Sequence, residues 1–324
     1  MKSIPFVAVD ADTLLFNAAV SSQDKYITVL HKPSGKTKNY QNRTEFKENM
    51  KGRKEITDDY EIHDIQDNPS IKRAFRTVKS KAEQILDNFD FHEVVFCAGD
   101  SDNFRRELPY PTRYKSNRDG KARPLLLKEC HQYFKKRYRS VQAVGHECDD
   151  EVSILAYDAL KQGREAFILS PDGDSKQFDG VKFGGYQDAP YECVDIQFMH
   201  EIKWNGKNLD TYGFPWLVSQ AAYGDGIDGL NPQYLAKKRY GEKGFYNDFH
   251  KLKTADEIAQ KLIEKYKFWY PKEFEYTAWN GEVIKADWKY MLELYWKGTT
   301  MKRERDKLPD VWEFLKGRGI TYEY

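Results

Sequence analysis

GHECDDEVSILAYDALKQGREAFILSPDGDSKQF, residues 145–178, holds eight carboxylates, five of which matter most and fall in two tight groups. Glu147, Asp149 and Asp150 precede an amphipathic run, and Asp172 and Asp174 follow an apolar one. The spacing of Val152, Leu155, Ala156, Ala159 and Leu160 predicts a helix over 149–162, stopped by Gly163. Ala166 to Ser170 reads as a buried strand, and Pro171 to Asp174 as the loop leaving it. One acidic group therefore opens a helix while the other ends the next strand. In a parallel α/β sheet, ligands bind along that strand edge.

The same arrangement recurs upstream. Phe6 to Val9 reads as a strand ending at Asp10, followed by Asp12 and a helix from Thr13 to Val20. Glu93 to Ala98 reads as a strand leaving through Gly99-Asp100, and Val141 to Val144 as a third. Lys25 to Asn42 is a hairpin around Pro33-Ser-Gly35, residues 43–70 a charged insertion, and Ile71 to Phe89 an amphipathic helix. Short strands are expected within 181–198, and a short helix from Leu217 to Tyr223 ends in Gly224-Asp225-Gly-Ile-Asp228. The remainder is Trp- and Tyr-rich and reads as helical. The expected fold class is α/β, a mostly parallel central sheet with helices on both faces and a helical C-terminal region. Residues 1–200, with an insertion at about 25–70, form the core, and 201–324 a mainly helical part.

Composition narrows the function classes. Lys and Arg total 52 against 51 Asp and Glu, for a net charge of +1 over 324 residues. A mean hydropathy of −0.81, with no apolar run near the roughly 20 residues of a membrane helix and no signal-peptide pattern, predicts a soluble cytoplasmic protein. Cys97, Cys130, Cys148 and Cys193 are scattered without a C-x-x-C pair, which argues for free thiols over a zinc site or disulfide frame.

The near-zero net charge hides a local extreme. Residues 102–139 hold twelve Lys/Arg against four acids, with Tyr110, Tyr114, Tyr133, Phe134 and Tyr138 interleaved. Such a mixture suits a phosphate backbone and stacked bases, although charge runs are commonly solvated faces. A second basic patch follows at Lys237, Lys238, Arg239 and Lys243.

Asp at a strand exit or helix start is an ordinary turn or cap residue, and for any one of these acids alone that reading is the stronger. Its weight falls when the same chemistry recurs at three strand exits. Carboxylates gathered at one edge must protonate or find cations. An oxygen-only ligand set favours Mg²⁺, with Mn²⁺ as substitute, over zinc. Two such ions form the clamp used for in-line displacement at phosphorus.

The ordered set VDAD, GDSDNFR, RYKSNRDGK, ECDDE, SPDGDSKQF and GDGIDG resembles the 5′-nuclease family of flap endonucleases and 5′→3′ exonucleases, with bacteriophage exonucleases nearest in pattern. The resemblance covers roughly residues 5–230. It implies a PIN-like 5′-nuclease core that hydrolyses DNA phosphodiesters to 5′-phosphate products during phage or cellular replication or primer removal. Ribonuclease-H-like action on an RNA–DNA hybrid and contact with replication proteins are further expectations. Carried over residue by residue, it implies a first metal at Asp10, Asp100, Glu147 and Asp149. The second would lie at Asp172, Asp174 and Asp225, with Asp150 and Asp228 assisting. Lys115 and Arg118 match the basic pair that meets the scissile phosphate, and Phe16 a ring near the reacting nucleotide. Arg105, Arg106, Arg113, Tyr114, Lys121, Arg123, Lys237, Lys238 and Arg239 are the expected nucleic-acid contacts. The glycine-rich helix–hairpin–helix common after GDxxD is missing from Gly229 to Gly241, which speaks against a K⁺ site.

Two rivals come from other classes. A haloacid-dehalogenase-type phosphatase would use Asp10-Ala-Asp12-Thr13 and Asp225/Asp228, but both spacings miss by one residue and Glu147, Asp149, Lys115 and Arg118 go unused. A non-catalytic nucleic-acid-binding protein would need a decayed site, yet every expected acidic position is filled.

Overall fold

The structure, a computed structural model, describes residues 3–50, 58–99, 102–186 and 191–323. Asp100 lies outside these residues. The chain divides into two compact units, one of residues 1–12, 84–121 and 139–324, the other of residues 13–83 and 122–138.

In the first unit, β1 (Phe6–Asp10), β5 (Glu93–Ala98), β6 (Ser140–Gln142), β7 (Ala166–Leu169), β8 (Lys182–Gly184) and β9 (Val194–Asp195) form a six-stranded sheet ordered β6-β5-β1-β7-β8-β9. All neighbours are parallel except the β8–β9 pair. This is the mostly parallel α/β sheet expected from the strand and helix alternation. β1 is central and buried at all five positions, as a strand covered on both faces must be. Its register, Asp10 opposite Cys97 and Val9 opposite Leu169, brings three strand exits to one edge.

The helix α5 (Cys148–Lys161) lies on this sheet. Val152, Ala156 and Ala159 recur at helical spacing and pack with Ala8, Val95, Cys97 and Ile168. Small side chains on that face let the helix approach closely, which carries its acidic first turn to the strand exits. A separate core is built on α6 (Gly213–Tyr223), buried from Gly213 to Ala222, with α7 (Glu242–Phe249), α8 (Ala255–Trp269), α9 (Trp288–Thr299) and α10 (Val311–Gly317). Two hairpins were not anticipated in the sequence: β10 (Lys203–Trp204) with β11 (Leu209–Asp210), and β12 (Phe274–Thr277) with β13 (Val283–Ala286).

The second unit contains most of α1 (Asp12–Ser21) and of α3 (Ile71–Asn88), with α4 (Leu127–Arg137). The expected hairpin is present as β2 (Asp24–His31) and β3 (Lys36–Tyr40), turned at Gly35 with φ +64°. The supposed insertion supplies α2 (Arg43–Asn49) and β4 (Tyr60–Asp67), and β4 pairs along the whole of β2. Its Tyr60 and Ile62 pack against Ile27, Val29 and Phe46, but Asp64 interrupts the alternation, so the period-2 hydrophobic signal that marks most strands is short.

Candidate metal and phosphate site

The edge is built from Asp10 outward. Asp10 is 4% exposed at the end of β1. Its carboxylate accepts from the Asp12 backbone N–H at 2.9 Å, the Cys148 thiol at 3.3 Å and the Ser170 hydroxyl at 3.1 Å. Asp12 in turn accepts from the Gly99 backbone N–H at 2.8 Å. Burial first, and then the charge of Asp12, push the Asp10 carboxyl up to about 6.

The other acids act on one another in the same way. Burial and then Asp10, Asp172, Asp174 and Glu147 push Asp149 well above the usual carboxylate range. Burial and then Asp172, Asp225 and Asp228 do the same to Asp174. Asp225 is raised by burial and then by Asp228. Thus Asp149 links Asp10 and Glu147 to Asp172 and Asp174, and Asp174 links these to Asp225 and Asp228, a continuous run of interacting acids from four segments of chain. Two also serve as ordinary turn residues: Asp172 accepts from Asp174 N–H at 3.0 Å, and Asp225 from Ile227 N–H at 2.7 Å.

The contacts between acids are uneven. Asp10, Asp12 and Cys148 place ligand-type atoms within 4.8 Å of one another, and no other trio does so among the described residues. The Cys148 thiol is held far above its ordinary range by burial and then by Asp10 and Asp12, so it stays protonated and donates to Asp10. Its sulfur therefore does not alter the oxygen character of the site. Asp12, which is not in the ligand set that the resemblance implies, shares this close group with Asp10. The Asp-x-Asp spacing at a strand exit was the signal for it. Asp149 Oδ1 is buried without a hydrogen-bond partner. Such an atom costs about 1–3 kcal/mol or more if left unsatisfied, and a hard cation is a chemically suitable partner for it.

Basic groups close the other side. Lys115 meets Glu147 at 2.5 Å and Asp228 at 3.3 Å, and Arg118 meets Asp228 at 2.9 Å. Lys115 is non-glycine yet sits at φ +55°, a conformation few side-chain-bearing residues adopt. It is held there by its backbone N–H on Asp228 O at 2.9 Å, while Asn117 Nδ2 donates to Ile227 O at 2.6 Å. The Tyr114–Arg118 turn is thus pinned to the Asp225–Asp228 loop. Burial would lower the Lys115 ammonium, but Glu147 and Asp228 outweigh it and hold it above its ordinary value.

Three assignments from sequence are corrected. Arg105 has no exposed surface and cannot meet nucleic acid. Its guanidinium forms a fork with Asp150 at 2.6 and 3.0 Å and donates to Gly298 O and Thr300 O. Asp150 is correspondingly not available as a metal or catalytic group. Burial alone would raise it, yet Arg105 overrides that and holds it below the ordinary range, and its carboxylate also accepts from Glu147 N–H and Lys302 N–H. Tyr114 is 2% exposed, with its hydroxyl 2.8 Å from Glu147 and 2.6 Å from Asp228, and offers no ring face to a base. Sequence carries no mark that separates a buried arginine from an exposed one.

The remaining expected contacts lie on the surface or partly so. Arg106 is half-buried, while Arg113, Lys121, Lys237, Lys238 and Arg239 are exposed. Lys238 and Arg239 line a cleft of about 520 Å³ that also includes Tyr223 and Gly226 beside Asp225. Phe16, 45% exposed, and Arg123, also exposed, belong to the second unit.

No family model matches the chain, and no curated protein sequence does. Solved structures give weak overlaps. A phage T5 protein co-crystallised with metal ions overlaps at 13% identity and a TM-score of 0.42, over 81% of this chain and 85% of that one. The T5 5′-exonuclease with bound zinc overlaps at 17% identity and 0.42, over 80% and 83%. A T5 flap endonuclease complex with DNA and metal ions overlaps at 13% identity and 0.38, over 58% and 75%. These values do not establish a family, and the site stands on its own residues.

Proposed function

We propose that the chain is a divalent-metal-dependent 5′-nuclease that hydrolyses DNA phosphodiester bonds, acting on 5′ ends or flaps and releasing 5′-phosphate products. The observation carrying this reading is the acid edge. Asp10, Asp149, Asp174 and Asp225, from four separated segments, are all held above the ordinary carboxylate range by burial and by neighbouring acids, while Asp149 Oδ1 lacks any hydrogen-bond partner. That state is costly without a cation, and the all-oxygen donor set fits Mg²⁺ or Mn²⁺. Asp10, Asp12, Glu147 and Asp149 would hold one ion, and Asp172, Asp174 and Asp225 a second, with Asp228 beside them. Asp100 is retained in the proposal from its place in the sequence.

When bound, divalent ions supply Lewis-acid polarisation of the phosphate and activation of water. The chain's own groups orient and neutralise. Lys115 and Arg118, which pair with Glu147 and Asp228, would exchange a carboxylate for a phosphate oxygen as negative charge develops there. Arg106, Arg113, Lys121, Lys237, Lys238 and Arg239 would hold the backbone of the strand, a contact whose strength falls steeply with salt. Phe16 and Arg123 are proposed contacts of the second unit.

The test is a cleavage panel of 5′- and 3′-labelled single strand, duplex, flap and RNA–DNA hybrid, with Mg²⁺ and with EDTA. Mg²⁺-dependent 5′-directed products are expected. Cleavage that persists in EDTA, or a covalent phosphoryl adduct on Asp10, would replace this reading with another.

A further inference from the structure

Away from the acid edge, a groove of about 690 Å³ runs between the β10–β11 hairpin and α7. It is a built feature. The hairpin turn is closed by Asn205, whose side chain accepts from Lys207 and Asn208 N–H. The hairpin is tied to the start of α7 by Leu209 N–H on Glu242 at 2.7 Å.

Rings and lysines alternate along it. Trp204 lies 6.0 Å from Tyr246, and Tyr246 stacks on His250 at 4.5 Å and 19°. Lys243, Tyr246 and His250 fall a turn apart on α7 and its C-cap, so they share one face. The Lys243 ammonium rests over both Trp204 and Tyr246, at 4.4 and 4.6 Å from their centroids. Lys203, Lys251 and Lys253 line the groove against one acid, Glu201. All four lysines are exposed, and the three rings are half-buried with a polar tip each.

We propose that this groove binds single-stranded nucleic acid, with bases on the Trp204–Tyr246–His250 row and phosphates on Lys203, Lys243, Lys251 and Lys253. Ring faces interleaved with cations are what a single strand uses, because every base has a π-face and every link a charge. Lys243 is the exchangeable piece: its ammonium leaves the ring faces for a phosphate as a base arrives. An acidic peptide would use the lysines and leave the rings idle. The site is independent of the acid edge, so its failure leaves the nuclease reading intact, and the reverse also holds.

The test uses the full chain in EDTA with an oligothymidine carrying 5-iodouracil. Photo-cross-links mapped by mass spectrometry are expected at Trp204, Tyr246 or His250. The exposed pair Lys251→Glu/Lys253→Glu, with thermal unfolding unchanged, should lower those cross-links and weaken oligonucleotide binding about ten-fold at low salt. Tyr246→Ala, if folded, should cut the cross-links by a similar factor. Cross-links found only within residues 102–139, or charge-reversed protein that cross-links as the parent does, would overturn the proposal. So would poly-glutamate displacing the oligonucleotide from the groove at equal charge concentration.

Discussion

Asp149 and Asp150 are neighbours in the first turn of α5 and end in opposite states. Asp149 faces the acid edge, where like charges surround it and one oxygen has no partner. Asp150 points the other way, into a dry contact with Arg105. The same division extends through the first unit. Beyond Asp150, Glu151 takes Arg305 on both oxygens and His146 at 2.7 Å. Burial would raise Glu151, but those two partners hold it below the ordinary range. Asp179 takes Arg303 and Arg318. These pairs stitch residues 298–318 onto α5 and the loop after β7, and they are complete. The acid edge is incomplete by the same accounting. One region uses buried charge to hold the chain together, and the other crowds like charges against one another.

The largest effect should come from breaking the complete side. Arg105→Met leaves Asp150 buried and unpaired and should cost about 3–5 kcal/mol in urea unfolding. Arg105→Met with Asp150→Leu should recover much of that loss. If the single variant unfolds like the parent, the clamp has no structural weight.

Gly99→Ala tests the packing of the edge. A Cβ there would lie 2.5 Å from Asp12 Oδ2. Displacing Asp12 should cost about 1–3 kcal/mol and reduce any stabilisation by Mg²⁺, both read by thermal unfolding.

Asp149→Asn inverts the usual sign. It keeps shape and removes one of the crowded charges, so the protein in EDTA should gain about 0.5–2 kcal/mol. The rise in Tm on adding Mg²⁺ or Mn²⁺ should fall with it, and cleavage should stop. A destabilised Asp149→Asn protein would mean that the carboxylate is held by partners after all.

The pH dependence follows from Asp10, raised from 3.8 to about 6 in the folded chain. A raised carboxyl binds its proton more tightly folded than unfolded. Its cost is therefore absent below about 4, grows as pH climbs to about 6, and is fully present above. Divalent ions must displace that proton, so metal-induced stabilisation should appear across the same window and vanish as pH falls below it. Differential scanning calorimetry at pH 4.5, 6 and 7.5, with and without Mg²⁺, reads both trends.

The smallest stability effect belongs to Arg118→Ala. Its side chain is 52% exposed, and exposed ion pairs contribute under about 1 kcal/mol. The single-turnover cleavage rate should nonetheless drop well beyond what that predicts. Equal small losses in both would make Arg118 only a surface partner of Asp228.

Much of the edge was legible from residue order. Strands β1, β5 and β7 announce themselves as apolar runs stopped by Asp, Gly-Asp and Ser-Pro-Asp, and α5 by its 3.6-residue period behind ECDD. What stayed hidden had no local mark. β4 sets Tyr60, Ile62 and Ile65 among charged and polar residues without a sustained alternation, and it is a strand because it pairs along β2. The β12–β13 hairpin sits between helices in a stretch of mixed period.

The order of residues by itself determined the α/β alternation, the parallel sheet and the placing of acids at strand exits, because periodicity and turn chemistry are local properties. Only the tertiary structure decided which of those acids are crowded and which are paired. Arg105 and Arg118 are the same residue type thirteen positions apart, one sealed against Asp150 and one open beside Asp228. That difference arises from what packs around each charge, and the free energy of a charge depends on its surroundings far more than on its neighbours in the chain.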